Sequence, residues 1–194
     1  MAGLKRRNKL NLNNIQIIET NDTHFNDIMV VETRAFNQDK EAKLTAGLLK
    51  DKTGEPTLSL LAYLEGKAVG HILFTRGYLE EMTVDQPLFH FLAPLAVIPE
   101  YQKQGIGGML IKEGHKRLKE MGSKMVYVLG HIDYYPRHGF INDAKKYGYH
   151  TIYPIPEEVK DAWMFQSLTD EEFPIKKGKV LCCDELNRPE HWRE

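Results

Sequence analysis

The stretch best suited to chemistry is Gln102-Lys103-Gln104-Gly105-Ile106-Gly107-Gly108, set between an apolar run and an amphipathic helical pattern. A helix start presents N–H groups without intrahelical partners and a partial positive charge. Glycines let backbone approach a ligand with no Cβ in the way. Together these can cradle phosphate oxygens; the same glycines would also serve plain close packing of strand against helix. The turn is not a Walker loop, since no Gly-Lys-Ser/Thr follows. Nor is it the dinucleotide fingerprint, because Leu110 occupies the third glycine position. A phosphate pocket, if present, is of another kind.

Other reactive groups are sparse. Cys182 and Cys183 are adjacent, with Asp184 and His191 nearby, but the spacing matches no standard zinc pattern and no metal is expected. Adjacent cysteines make no disulfide framework, so a reduced, cytoplasmic setting fits better. Lys plus Arg (26) nearly cancels Asp plus Glu (27), which gives no reason to expect nucleic acid or an anionic membrane as partner. Lys5-Arg6-Arg7 is followed by polar residues rather than an apolar h-region, so secretion is not expected. No apolar run is long enough to cross a bilayer.

Around the glycine turn the chain must supply elements to hold it. With 194 residues, 42% of them hydrophobic, it suits one substantial core. Residues 1–14 read as a flexible tail and residues 15–18 as a first strand. Asn21-Asp22-Thr23 offers N-cap chemistry for a helix whose Phe25, Ile28, Met29, Glu32 and Phe36 recur at three- and four-residue intervals. A second helical piece spans residues 40–49. Residues 57–64 and 68–75 form an antiparallel hairpin about Glu65-Gly66-Lys67. Residues 80–87 read as a loop. Residues 89–97 are the next strand, in which Pro94 removes a ladder donor and implies a bulge or splay. Ile106, Leu110, Leu118 and Met121 form the apolar stripe of the following helix, with Gly114 permitting close approach and Gly122 ending it. Residues 124–129 are an apolar strand of the kind covered on both faces. A short turn or helix follows to Gly139, and further strands are expected over residues 163–168 and 180–183.

The motifs resemble the GNAT superfamily of acyl-CoA-dependent N-acyltransferases. Gln102 to Gly107 fits its pattern Q/R-x-x-G-x-G/A, preceded by the lead-in Leu95-Ala96-Val97-Ile98-Pro99-Glu100-Tyr101. Tyr134-Tyr135-Pro136-Arg137-His138-Gly139-Phe140 is similar to its Y-x-x-x-G-F element, in a form seen in one branch of bacterial acetyltransferases. The resemblance covers residues 88–168.

The resemblance implies an α/β (α+β) fold: a central mixed, mostly antiparallel sheet flanked by helices and splayed between its fourth strand (residues 89–97) and fifth (124–129). It implies acetyl-CoA as co-substrate and a transferase domain over residues 15–168. Backbone groups of Leu95, Ala96 and Val97 would hold the pantetheine. Gln102, Lys103, Gln104, Gly105, Ile106, Gly107 and Gly108 would hold the pyrophosphate, with Lys103 able to add a charge-assisted contact. Tyr135 matches the position of the family's general acid, whereas Tyr134 is expected to turn into the core. His90 is the foremost candidate base, with Glu80 and Glu81 also placed on the acceptor side. The reaction implied is acetyl transfer to a primary amine of a small molecule or protein; a non-catalytic acyl-CoA sensor is the alternative. The acceptor itself is not legible. Residues 169–194 lie beyond the match, as an extension packed on the domain, and a homodimer is a family-level expectation.

Overall fold

The computed structural model describes residues 14–192 apart from Thr83. The tail expected over residues 1–14 therefore lies, Asn14 aside, outside the described residues. In chain order the elements are β1 (Ile15–Glu19), α1 (Phe25–Phe36), α2 (Lys40–Leu48), β2 (Leu58–Leu64), β3 (Lys67–Arg76), β4 (Tyr78–Leu79), β5 (His90–Val97), α3 (Ile106–Glu120), β6 (Met125–Leu129), β7 (Tyr149–His150), β8 (Trp163–Ser167) and β9 (Gly178–Leu181). Six strands make the main sheet in the order β1-β2-β3-β5-β6-β8. All its neighbours are antiparallel except the parallel pair β5–β6. The strands expected as fourth and fifth are β5 and β6, because the two-residue β4 precedes them.

Strand alternation sorts the sheet's two faces. On β3, Gly70, Ile72 and Phe74 face α3. A Cβ added at Gly114 would stand 2.4 Å from Phe74, so glycine is what lets this helix settle on the sheet. Leu110 and Leu118 of the same stripe are fully buried, whereas Met121, at its end, is 37% exposed. His71 lies on the opposite face, under α1. Its Nδ1 is 2.5 Å from Glu32 Oε1, and its Nε2 is 3.0 Å from Ser59 Oγ. Thr20 Oγ1 donates to Ser59 Oγ over 2.6 Å. The Ser59 proton is then free for His71 Nε2, and His71 Nδ1–H donates to Glu32. This buried polar chain ties α1 to β2, to β3 and to the residue after β1. Burial pushes the Glu32 carboxyl above the usual carboxylate range, against the lowering effect of His71.

A second sheet, β4-β9-β7, was not foreseen. β9 is its middle strand, antiparallel to β4 and parallel to β7. The chain then turns back under α2. Glu185 N–H donates to Asp51 Oδ2 (2.8 Å), Asp184 N–H to Thr53 Oγ1 (2.9 Å) and Trp192 Nε1–H to Leu186 O (2.9 Å). Trp192 is buried with Phe91, Tyr127, Trp163 and Phe165 in a second apolar cluster. Among the described residues no helix is long and apolar enough to cross a membrane.

Candidate active site

The central feature is a fork between two strands. β5 and β6 pair only at His90–Val126 and Phe91–Tyr127, then part. Each arm keeps its outer neighbour: β5 stays on β3 as far as Gly70–Val97, and β6 stays on β8 as far as Leu129–Trp163. The register of β5 on β3 shifts between Phe74–Leu92 and Ile72–Leu95. The extra residue falls at Ala93–Pro94, where the sequence predicted a disrupted ladder, and the bulge re-aims the strand beyond it.

Backbone direction follows from this register. Ile98 N–H donates to Val69 O in β3 (3.0 Å). Alternation then turns the N–H and C=O groups of Ala96 toward β3, and those of Leu95 and Val97 toward the fork. Val97 O accepts from Gln102 Nε2 (2.9 Å), and Gln104 Nε2 donates to Glu100 O (3.0 Å). Gln102 N–H is itself taken by Pro99 O. The two glutamine side chains thus brace the turn. Lys103 and Gly105 take left-handed backbone angles, φ 60° and 93°. The first bond within α3 is donated by Met109 to Gly105 O, so the N–H groups of Ile106, Gly107 and Gly108 point out of the helix end at the mouth of the fork.

Both tyrosines of the Tyr134-Tyr135 pair border the fork. A Cβ on Gly107 would lie 2.3 Å from the Tyr134 hydroxyl, and one on Gly108 2.7 Å from the His138 ring. Tyr134 is half-buried over the start of α3 rather than turned into the core, and burial raises its phenol pKa, keeping the hydroxyl protonated. Tyr135 is the more deeply buried of the two, at 8% exposure. Its ring rests on Gly130, just past β6, and packs edge-on to Phe140 (5.4 Å) and Tyr134 (5.2 Å). The touching rings thus span from α3 to β6.

His90 does not reach the fork, a correction to its expected role as base. It sits at the closed end, about five residues and so about 16 Å along β5 from Leu95. It is wholly buried, its Nδ1 meeting Ser123 Oγ (2.9 Å) and its Nε2 donating to Pro56 O (3.0 Å). Burial pulls its pKa down to about 4, with Arg76 adding to the effect and the Pro56 bond opposing it. His90 is a structural tie between β5, Ser123 two residues before β6, and the segment before β2. Glu80 and Glu81 are paired with Lys179 and Lys176 on the surface.

At the vertex of the fork, on the α2 side, lies a cavity of about 200 Å³. Its walls come from α2, from Phe91 to Ala93, from Leu129 and Trp163, and from Leu186 and Glu190 to Trp192. Sequence reasoning missed this site. Its residues are far apart in the chain, and the only available hint was Trp192 in a mostly polar C-terminal stretch. Cys182 and Cys183 are free, buried thiols, their pKa values pushed up to about 12 and about 11 by burial. Among the described residues no group of three or more His, Cys, Asp or Glu is placed to hold a metal.

The sequence and the fold are similar to those of known proteins. Residues 23–140 match the family model of the acetyltransferase (GNAT) family. The uncharacterized N-acetyltransferase YjhQ of Escherichia coli K12 is 54% identical over 165 residues, 85% of this chain and 90% of that protein. The uncharacterized N-acetyltransferase YhbS of the same organism is 36% identical over 108 residues, 55% of this chain and 62% of that one. A crystal structure of YhbS in complex with CoA superposes with a TM-score of 0.79 at 27% identity, covering 90% of this chain and 93% of that one. A GNAT acetyltransferase from Brucella melitensis, in complex with acetyl-CoA, shares the fold: TM-score 0.68 at 24% identity, over 89% of this chain and 98% of that one.

Proposed function

The chain belongs to the acetyltransferase (GNAT) family, and we propose that it transfers the acetyl group of acetyl-CoA to a primary amine by direct attack in a ternary complex. The observation that carries this reading is the fork, with the backbone of Leu95 and Val97 aimed into it and the glycine turn at its mouth. A Cβ at Gly107 would strike the Tyr134 hydroxyl and one at Gly108 the His138 ring, so glycine lets those rings lie on the start of α3. The outward N–H groups of that helix end suit a ligand with a diphosphate at one end and an extended, hydrogen-bonding arm.

The chain's own groups divide the work. N–H groups from Lys103 to Gly108 hold the pyrophosphate, with Gln102 and Gln104 keeping the turn in shape. Leu95 and Val97 supply the strand edge on which the pantetheine is oriented, and a backbone N–H there polarises the thioester carbonyl; Ala96, expected to share this role, instead has its backbone groups turned to β3. Tyr135 donates a proton to the departing thiolate, a step typically contributing about 10²–10⁴-fold. Tyr134 closes the other side of the fork. We place the reaction in the cytoplasm, where the two free thiols stay reduced.

Thiol release from acetyl-CoA in the presence of a broad amine panel tests the function. Release with at least one amine, lost in Tyr135→Phe at unchanged affinity for desulfo-CoA, is the expected result. Binding of CoA without turnover of any amine would favour an acyl-CoA sensor instead.

A further inference from the structure

Resting on that reading, we infer that the acceptor is a compact amine carried on an apolar or aromatic group, bound in the cavity between α2 and the C-terminal segment, with Glu41 and His191 receiving its nitrogen.

Position comes first. The cavity touches β5 at Phe91 to Ala93 and β6 at Leu129, the residues where the two strands part. Ala93 is two residues, about 7 Å of strand, before Leu95. A pantetheine arm running inward from the glycine turn would end there, so whatever fills the cavity meets the acyl end.

Shape and lining come second. Phe91, Trp163 and Trp192 form a continuous aromatic floor. Phe91 stacks on Trp163 at 5.8 Å and meets Trp192 edge-on at 6.1 Å, and the two indoles are 5.8 Å apart. Leu44 of α2 also lines the cavity. At about 200 Å³ the space is smaller than the pockets of about 300 Å³ and upward that take drug-sized ligands. A polyamine, an amino sugar or a peptide segment would leave polar groups on this floor unpaired.

The third observation is chemical. Two polar atoms of the lining are buried and have no hydrogen-bond partner among the described residues: Glu41 Oε2 and His191 Nε2. The other carboxylate oxygen of Glu41 accepts from Gln38 Nε2 (3.0 Å), which fixes the group while Oε2 stays unpaired. A buried carboxylate edge and an imidazole nitrogen lacking partners cost free energy unless a ligand supplies them. A primary ammonium satisfies the carboxylate. Burial lowers the His191 pKa, which favours the neutral ring able to take a proton.

The ammonium gives a proton to His191 Nε2 and the neutral nitrogen attacks the thioester carbonyl carbon. The C–S bond breaks, the amide forms, and the thiolate takes its proton from Tyr135. The second amine proton restores Tyr135 through water, and His191 releases its proton to solvent. The products are the N-acetyl amine and CoA thiol.

The test compares phenethylamine and isoamylamine with spermidine, glucosamine and a lysine peptide, at fixed acetyl-CoA, reading thiol release. It is repeated in Leu44→Trp, which fills the cavity, and Glu41→Gln, with folding of each checked by its thermal midpoint. The apolar amines should exceed the others in kcat/KM by about 30-fold, the effect of burying one aliphatic or aromatic group. Each variant should raise their KM by about tenfold or more, as for losing a charged hydrogen bond or the space itself, with acetyl-CoA affinity unchanged. Preference for a polar or extended amine overturns the inference, as does an unchanged KM in both variants. So does calorimetry showing no binding of phenethylamine to the CoA-loaded protein. Acetyl-CoA affinity in the same samples separates the two readings. If it is retained, only the acceptor assignment falls; if it is absent in the wild type, the transferase reading falls with it.

Discussion

His90→Gln separates a structural tie from a general base. The ring lies at the closed end of the fork, and its neutral form satisfies both partners, Ser123 Oγ and Pro56 O. Glutamine replaces the ring with a flexible amide that reaches one partner well. One buried polar group is left stranded, at a cost of about 1–3 kcal/mol at pH 7.5. The pH dependence is the sharper signature. The folded-state pKa of about 4 lies below the ordinary 6.5. Between those values the unfolded chain binds the proton and the folded protein does not, so stability is full above 6.5 and falls as the pH drops toward 4. At pH 5 the unfolded ring is about 1.5 units below its pKa, which converts to about 2 kcal/mol lost by the wild type from this residue alone. His115, buried on α3 and also lowered to about 4 by burial, contributes a similar amount in both proteins. Urea unfolding at pH 7.5 and pH 5 should therefore show the wild type losing about 2 kcal/mol more than His90→Gln. Turnover of the variant should stay within about threefold of wild type, against the roughly 10²–10⁴-fold loss due to a missing base. Equal pH losses in the two proteins, or a hundredfold fall in kcat with stability unchanged, would refute this assignment.

Three further outcomes follow from the packing. Gly107→Ala puts a methyl where only 2.3 Å separates it from the Tyr134 hydroxyl; calorimetry should show desulfo-CoA affinity falling about 10–100-fold, the worth of one charge-assisted phosphate contact. His71→Ala strands the wholly buried Glu32 and takes the acceptor from the Ser59 hydroxyl proton, and denaturant unfolding should register a loss of about 3–5 kcal/mol. Trp192→Ala empties a site 5% exposed beside Phe91 and Trp163; a loss of about 3–5 kcal/mol in the same assay would show the C-terminal segment to be part of the core, and a loss below about 0.5 kcal/mol would show that it is not.

Local grammar carried the reading of the central elements. The hairpin of β2 and β3, the stripe of α3, its stop at Gly122 and the disrupted ladder at Pro94 all rest on contacts within a few residues, so their sequence signals survive into the structure. The fork was expected from family resemblance, and the register of β5 on β3 and β6 gives it form. What was not legible depends on distant partners. β4 and β7 are two residues each, too short for periodicity, and exist because β9 bridges them. His90 alternates with Phe89 and Phe91 in a way that leaves its face open to either reading; Ser123 and Pro56 decide it, 33 and 34 residues away. The cavity is lined by both Glu41 and His191, which stand most of the chain apart, an arrangement no spacing rule encodes. Adjacent tyrosines pose the same difficulty: the turn they occupy sends Tyr134 to Gly107 and Tyr135 to Gly130, and only the folded backbone tells them apart.

The central claim is that the fork and the glycine turn bind an acyl-CoA, and the thermal midpoint with acetyl-CoA, desulfo-CoA, ATP and NAD tests it most directly. A ligand at a hundredfold excess over its Kd stabilises the folded form by about 2.7 kcal/mol. For a chain of this length that raises the midpoint by about 5–10 °C. That shift is expected with both CoA compounds and none of comparable size with ATP or NAD; no shift with either CoA compound would rule out an acyl-CoA site and leave the glycines as packing between α3 and the rings that rest on it.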